Sequence, residues 1–365
     1  MMRSTAAITI GSAAQLDALR LALADFGPDA PAAEILAQLI RLGLDQLPLP
    51  GGGATLARWR ALAAVAEHDL SLAKLYEGHT DALAIHHELG VTPVASAGAA
   101  WGVWAAESAT ARTVIEAGRL YGAKAWCSGA ATGSHALLTA WEGVQSGSGS
   151  GSSSNGNGNN NACQRPQLVS VALAQPGVRV TREAWQAVGM NGSASLDVAF
   201  DGALAARVGA PGDYLTRPGF WHGGAGIAAC WYGGARALAT TLHRALAQTP
   251  AASRCPFRRA ALGRVDVALH CTGAALREAA AWIDAHPAAC ACGVAQRVRL
   301  AAERCATHVL DVTGRALGAT PFCRDARFAR CAADLAVFVR QSHAERDGAA
   351  LGDQTLDSRE TPWSL

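Results

Sequence analysis

Charge is the scarcest ingredient of this sequence: Asp, Glu, Lys and Arg make up only 16% of its 365 residues, and 31 basic against 29 acidic side chains leave a net +2. So sparse and balanced a distribution does not gather phosphate backbones, which excludes nucleic acid as an expected partner. Long apolar runs are missing too. The stretch from Met1 to Gly11 is too short in apolar residues for the h-region of a signal peptide. The longest apolar candidate, Phe220 to Leu242, contains His222, Arg236 and five glycines before Ala235, so it reads as a closely packed buried helix and not as a membrane span. No membrane partner is expected, and the chain reads as cytoplasmic. Metal-ligand spacing is also lacking. Ten cysteines are scattered mostly singly among apolar residues, and the one close pair, Cys290 and Cys292 with His286 nearby, has no second ligand cluster. No metal is expected, and the thiols read as reduced small hydrophobes.

What is present is apolar bulk. With 50% hydrophobic residues, the chain is long enough for two or three domains. Residues 1–95 read as a helical domain, rich in Ala and Leu at helical spacing and interrupted at Pro28, Pro31, Pro48 and Pro50. Residues 96–210 change to short apolar runs punctuated by glycine, as in Leu168 to Leu173 and the alternating Leu196 to Asp201, and read as strands. Residues 211–365 return to about four long helices, with breaks near Pro256, His286-Pro287 and Gly314 to Pro321. The run Ser146 to Asn161 contains only Gly, Ser and Asn and reads as a disordered surface loop without chemistry of its own. Gly224-Ala225-Gly226-Ile227-Ala228-Ala229 fits a dinucleotide-loop pattern formally, but no strand precedes it, so it reads as helix packing.

Three stretches within this α–β–α order carry a resemblance. Gly122-Ala123-Lys124-Ala125-Trp126-Cys127-Ser128 is similar to the Gly-x-Lys-x-Trp-(Ile/Cys)-(Thr/Ser) strand of acyl-CoA dehydrogenases. Val188 to Asp201 resembles the hairpin signature of that family, and Gln296 to Val339 resembles its last two bundle helices. The resemblance covers nearly the whole chain from about Leu56. It implies an α+β fold with an N-terminal helical domain, a central β-barrel-like domain and a C-terminal four-helix bundle, binding a flavin between them. It further implies that Trp126 packs on the flavin ring, that Ser128 bonds near its reactive nitrogen with Cys127 between them, and that Glu107-Ser108 contributes backbone contacts. Gly318 stands in the turn that meets the dinucleotide of a neighbouring subunit. The resemblance implies FAD as the cofactor, with FMN as the alternative because that turn, Arg315 to Phe322, has lost most of the glycines that meet the dinucleotide. A homodimer or homotetramer is implied as well.

The dehydrogenases remove a proton beside a thioester carbonyl with a positioned Glu while hydride leaves for the flavin. Here the corresponding stretch is Val337-Phe338-Val339-Arg340-Gln341, and the alternative position early in the first bundle helix is Gly219 to Gly224; neither holds a carboxylate. The resemblance thus implies an oxidoreductase acting on an acyl-CoA or related acyl substrate without its usual base, with His222 as a candidate. A second resemblance points elsewhere. Asp69 to His79 and Arg340 to Asp347 are similar to segments of flavin-dependent monooxygenases of the same fold, in which two histidines flank the activated oxygen and the substrate is a small aromatic or amine. His79 lies on the inward stripe Leu72, Leu75, Tyr76, His79, Leu83, and His343 follows Leu335 and Val339 at i+8 and i+4, with Asp347 one turn further on. Imidazole suits proton transfer near neutral pH. A third reading is a non-catalytic scaffold subunit that kept the fold. Arg254, Arg258, Arg259 and Arg264 are equally consistent with a solvated helix face or with phosphate contacts.

Overall fold

The computed structural model describes residues 11–93, 95, 98–108, 111–143, 165–181, 185–357 and 363. The Ser146 to Asn161 run lies outside the described residues, as does Cys163. Among the described residues four helices come first, α1 (Ala13–Ala24), α2 (Ala32–Arg41), α3 (Thr55–His68) and α4 (Leu70–Glu88). Seven strands follow: β1 (Trp101–Trp104), β2 (Thr113–Glu116), β3 (Arg119–Cys127), β4 (His135–Glu142), β5 (Gln167–Ala172), β6 (Val178–Thr181) and β7 (Leu196–Val208). The short α5 (Asp213–Thr216) leads into α6 (Gly219–Ala247), α7 (Pro256–Ala285), α8 (Cys292–Leu317), α9 (Ala319–Arg324), α10 (Ala326–Phe338) and α11 (Glu345–Asp357). The helix breaks fall where the sequence punctuates them. Pro256 takes the first turn of α7, where a missing N–H costs nothing, and Gly318 ends α8 at φ +72°. Among the described residues no helix is long and apolar enough to cross a membrane.

The chain divides into two compact units. The helical unit joins the chain up to Thr80 with Gln186–Ser193 and everything from Pro218 onward. Its core is the α6 centre, where Ala225, Ala228, Cys230, Trp231, Ala235, Leu238 and Leu242 are fully buried. Capping is partly supplied from a distance. Helix α3 has no side-chain cap of its own, and Asp284 of α7 accepts hydrogen bonds from Gly53 N (3.0 Å), Thr55 N (3.0 Å) and Thr55 Oγ1 (2.6 Å). The β unit takes Asp81–Trp185 and Ala194–Arg217. Its strands pair in the order β1-β4-β2-β3-β7-β5, with β5 also pairing β4 and β6 pairing β7. Alternating inward residues such as Ile115, Leu120, Leu138, Val169, Val171 and Val198 form its core.

One polar group in the β unit has a pH consequence. His86 is buried, neither ring nitrogen has a hydrogen-bond partner among the described residues, and its ring meets Trp101 edge-on at 4.8 Å; His135 packs on Trp101, also at 4.8 Å. Burial lowers the pKa of both histidines below the usual imidazole value. A depressed folded-state pKa contributes stability above the unfolded value of 6.5 that is lost as pH falls toward the folded one. The β unit should therefore lose stability from about pH 6.5 downward. His86→Phe, which removes the unpartnered nitrogens, is expected to gain about 1 kcal/mol at neutral pH and to flatten that slope, read by thermal melts between pH 7.5 and 5.

Candidate functional site

On the β unit the informative surface is the end of β3. Strand β3 pairs with β7 antiparallel, and the register shifts between Lys124 and Cys127. The bulge puts Trp126 at φ +57° and turns its side chain out, 55% exposed, between buried Ala125 and buried Cys127. An indole held outward by a strained backbone is a flat apolar face without cover, the kind of surface a planar aromatic ligand stacks on. The neighbourhood is polar and fixed: Trp126 N donates to Asp197 Oδ1 at 3.2 Å, Ser128 Oγ and Ser195 Oγ are 2.9 Å apart, and Trp104 Nε1 donates to Ser128 O at 3.0 Å. Cys127, read from the sequence as a cofactor contact, points the other way. Its side chain lies in the sheet core, and burial pushes its thiol up, so only its backbone is available to a ligand.

Glu107 is occupied by the protein itself. Its carboxylate accepts from Lys124 Nζ (2.8 Å), Thr139 Oγ1 (2.7 Å) and Trp141 Nε1 (3.1 Å). Burial would raise its pKa, but those hydrogen bonds and the Lys124 charge outweigh it and hold the carboxyl below the usual range. Lys124 is 2% exposed, so Glu107 is the countercharge that lets a buried ammonium persist. Glu107→Gln is expected to destabilise by about 2 kcal/mol in denaturant melts at neutral pH, while Glu107→Asp costs less. Ser108 follows, half-buried, and Gly318 is exposed between α8 and α9.

On the helical unit the three histidines have different surroundings. His222 is 1% exposed; its Nε2 lies 3.3 Å from Ala289 O, and a Cβ on Gly51 would sit 3.0 Å from its Nδ1. So enclosed an imidazole suits packing better than proton abstraction from a substrate. His79 lies on the inward stripe of α4 with Leu72, Leu75 and Tyr76, all buried. Its Nε2 is 3.1 Å from Asp45 Oδ2, which also accepts from Gln46 Nε2 at 2.9 Å, and the second Asp45 oxygen is buried without a partner among the described residues. Tyr76 Oη donates to Leu44 O at 2.5 Å beside them.

His343 is the accessible one, with its side chain 56% exposed. The sequence spacing placed it on the same helix as Val339, and the structure corrects this. Helix α10 ends at Phe338, a 3₁₀ turn runs over Val339–Gln341, and Ala344 at φ +39° redirects the chain into α11. Groups freed at the break find partners, because Arg299 Nη2 of α8 donates to Gln341 O at 3.3 Å and Ala344 N donates to Ser342 Oγ at 3.2 Å. His343 Nδ1 is 3.5 Å from Asp347 Oδ1, and His343 N donates to Asp347 Oδ2 at 3.4 Å. That second oxygen faces Arg299 Nη2 at 3.9 Å. Arg299 in turn donates to Gly224 O at 3.1 Å and lies over the Trp231 ring at 5.5 Å. Burial pulls the Arg299 pKa down while Asp347, Glu77 and Glu303 oppose it. The order Arg299, Asp347, His343 is that of a fixed cation anchoring a carboxylate that orients an imidazole. Sequence reasoning named Asp347 but missed Arg299, Trp231, Asp45 and Ser195. An Arg within the buried α8 stripe Ala295, Val298, Ala302 was the available signal for the first.

No family model matches the chain, and no curated protein matches it in sequence. Solved structures do. FMN-bound TdsC from Paenibacillus sp. A11-2, a dibenzothiophene monooxygenase, superimposes with a TM-score of 0.75 at 17% identity over 96% of this chain and 99% of that one. A nitrososynthase from Micromonospora carbonacea var. africana gives 0.75 at 19% identity, covering 97% and 99%. Methanesulfinate monooxygenase MsuC from Pseudomonas fluorescens gives 0.71 at 18% identity, covering 96% and 98%. Identities this low with coverage this complete speak to architecture, and on that ground the chain shares the acyl-CoA dehydrogenase-like fold.

Proposed function

We propose that this chain is a flavin-dependent monooxygenase that uses FMN and acts on a small aromatic or amine substrate. The observation that carries the proposal is the end of α10: the position where dehydrogenases of this fold hold their Glu is Val339, 2% exposed, and four residues on, past the break of the helix, stands the accessible His343 with Asp347 and Arg299. The neighbours support it, since TdsC is solved with FMN and indole and KijD3 with FMN and an amino-keto sugar nucleotide. FMN is favoured over FAD because Gly318 is the only glycine left between Arg315 and Phe322, the turn that serves the dinucleotide in FAD-binding relatives.

The β3 end fits a flavin: Trp126 offers an uncovered aromatic face, and the Ser128 and Ser195 hydroxyls supply donors beside it. Bound flavin supplies the electrons and the site of oxygen activation. The protein's own part is to cover the ring with Trp126, to hold His343 through Asp347, and to move a proton at the His343 imidazole. His79, enclosed and paired to Asp45, is assigned a structural part and not a proton-transfer one. Trp126→Ala is expected to weaken FMN binding about ten-fold, measured by quenching of FMN fluorescence.

The deciding experiment supplies the protein with reduced FMN and oxygen, and follows oxygenated product from a panel of aromatic heterocycles, thioethers and primary amines. Product that depends on both the protein and oxygen supports the proposal. Bleaching of bound oxidised flavin by an acyl-CoA thioester without oxygen would establish the dehydrogenase instead. No flavin binding at all would leave the scaffold subunit. Light scattering on the same preparation tests the expected homodimer or homotetramer.

A further inference from the structure

A cavity of about 300 Å³ opens in the helical unit between α1, α3, α6 and α7. Its polar lining is Arg20, Arg60, Arg236, Arg277, Tyr232 and Trp59, and no carboxylate lines it. Leu16, Leu56 and Leu276 provide apolar wall. Two of the four guanidinium groups are countered by acids outside the lining, Arg236 by Glu67 at 3.1 Å and Arg20 by Asp17 at 3.8 Å. Arg60 and Arg277 have no carboxylate partner among the described residues.

Two further observations point to a ligand. Trp59 is 2% exposed, yet its Nε1–H has no acceptor among the described residues. A buried donor without an acceptor is costly, and a water or a bound ligand oxygen in the cavity would meet it. Two of the polar groups also converge, because a Cβ built on Gly273 would lie 3.1 Å from Tyr232 Oη and 3.4 Å from Arg277 Nη1. The cavity is distinct from the His343 surroundings. It uses Ala229, Tyr232 and Arg236 of α6, whereas Arg299 meets Gly224 and Trp231, roughly 120° round the same helix.

We propose that this cavity binds a small amphiphilic anion, a single carboxylate or phosphate head on an apolar body. The head is taken by Arg60 and Arg277, with Tyr232 Oη and Trp59 Nε1 donating to it, and the body packs on the leucine wall. Guanidinium pairs suit either oxyanion, so carboxylate and phosphate are compared directly. The site is independent of the flavin assignment.

The test is calorimetric titration of the full chain with octanoate and with octyl phosphate, against 1-octanol and octyltrimethylammonium. At least one anion is expected to bind about ten-fold or more tightly than octanol, and the cation not at all. The double substitution Arg60→Gln with Arg277→Gln, at two exposed positions, is expected to weaken that binding by about ten-fold or more with an unchanged thermal melt. Octanol binding as tightly as both anions would overturn the proposal by making this a plain apolar cavity. Unchanged anion affinity in the double variant would overturn it by placing the anion elsewhere. Should the double variant misfold, the single substitutions are read by the same two criteria.

Discussion

Replacing His343 with alanine should lower oxygen-dependent product formation by roughly 10²–10⁴-fold, the range a positioned general acid or base contributes. The expectation rests on position and access. His343 is the accessible imidazole of the three candidates, it sits beyond the α10 break, and its Nδ1 faces Asp347 at 3.5 Å. FMN binding should change little, because the proposed ring contact is Trp126. Asp347→Asn is expected to cost about ten-fold, since the amide keeps the hydrogen bond from His343 N but loses the charge that Arg299 holds and that an imidazolium would feel. A steady-state comparison of wild type, His343→Ala and Asp347→Asn at one reduced-FMN concentration separates the two. Wild-type turnover in His343→Ala would remove His343 from the mechanism. In contrast, His79→Ala and His222→Ala are expected to act mainly on stability, because both rings are enclosed.

The largest structural effect is expected where the 186–193 segment meets α10, inside the helical unit. A Cβ on Gly189 would overlap the carbonyl oxygen of Ala333 and lie 2.7 Å from its carbonyl carbon, and neither is a side chain that can swing away. One residue on, Met190 sits at φ +59° and its N–H donates to Asp334 Oδ1 at 2.5 Å, while Ser71 Oγ donates to the other oxygen at 3.3 Å. Gly189→Ala is expected to destabilise by about 3 kcal/mol, a fall in melting temperature of roughly 6–12 °C for a unit of this size. Asp334→Ala, which strands a buried backbone N–H, is expected to cost about 2 kcal/mol. Asp334→Asn should cost less than either. It keeps an acceptor for Met190, and burial already holds the Asp334 carboxyl above the usual carboxylate range, so losing the charge forfeits little. Denaturant melts rank the three, and equal losses for Asp334→Ala and Asp334→Asn would show that the charge, not the hydrogen bond, is what matters there.

The sequence by itself determined the class and order of the elements, because periodicity and punctuation are local properties. The α–β–α order, the helix ends at Pro256, near Pro287 and at Gly318, and the inward stripe carrying His79 all follow from spacing and backbone chemistry within a few residues. The Trp126 motif was legible for the same reason, although its outward turn was not. That turn comes from a register shift against β7, seventy residues away, which no local pattern encodes. The tertiary structure alone decided which candidates are accessible. His222 and His79 looked as reactive as His343 in the sequence, but Ala289, Gly51 and Asp45 enclose the first two, and those partners come from distant turns. It also decided that α10 stops before His343. The break there depends on Arg299, some forty residues earlier, donating to a carbonyl the helix releases, and a helical spacing extended through Val339 cannot anticipate a hydrogen bond from another helix.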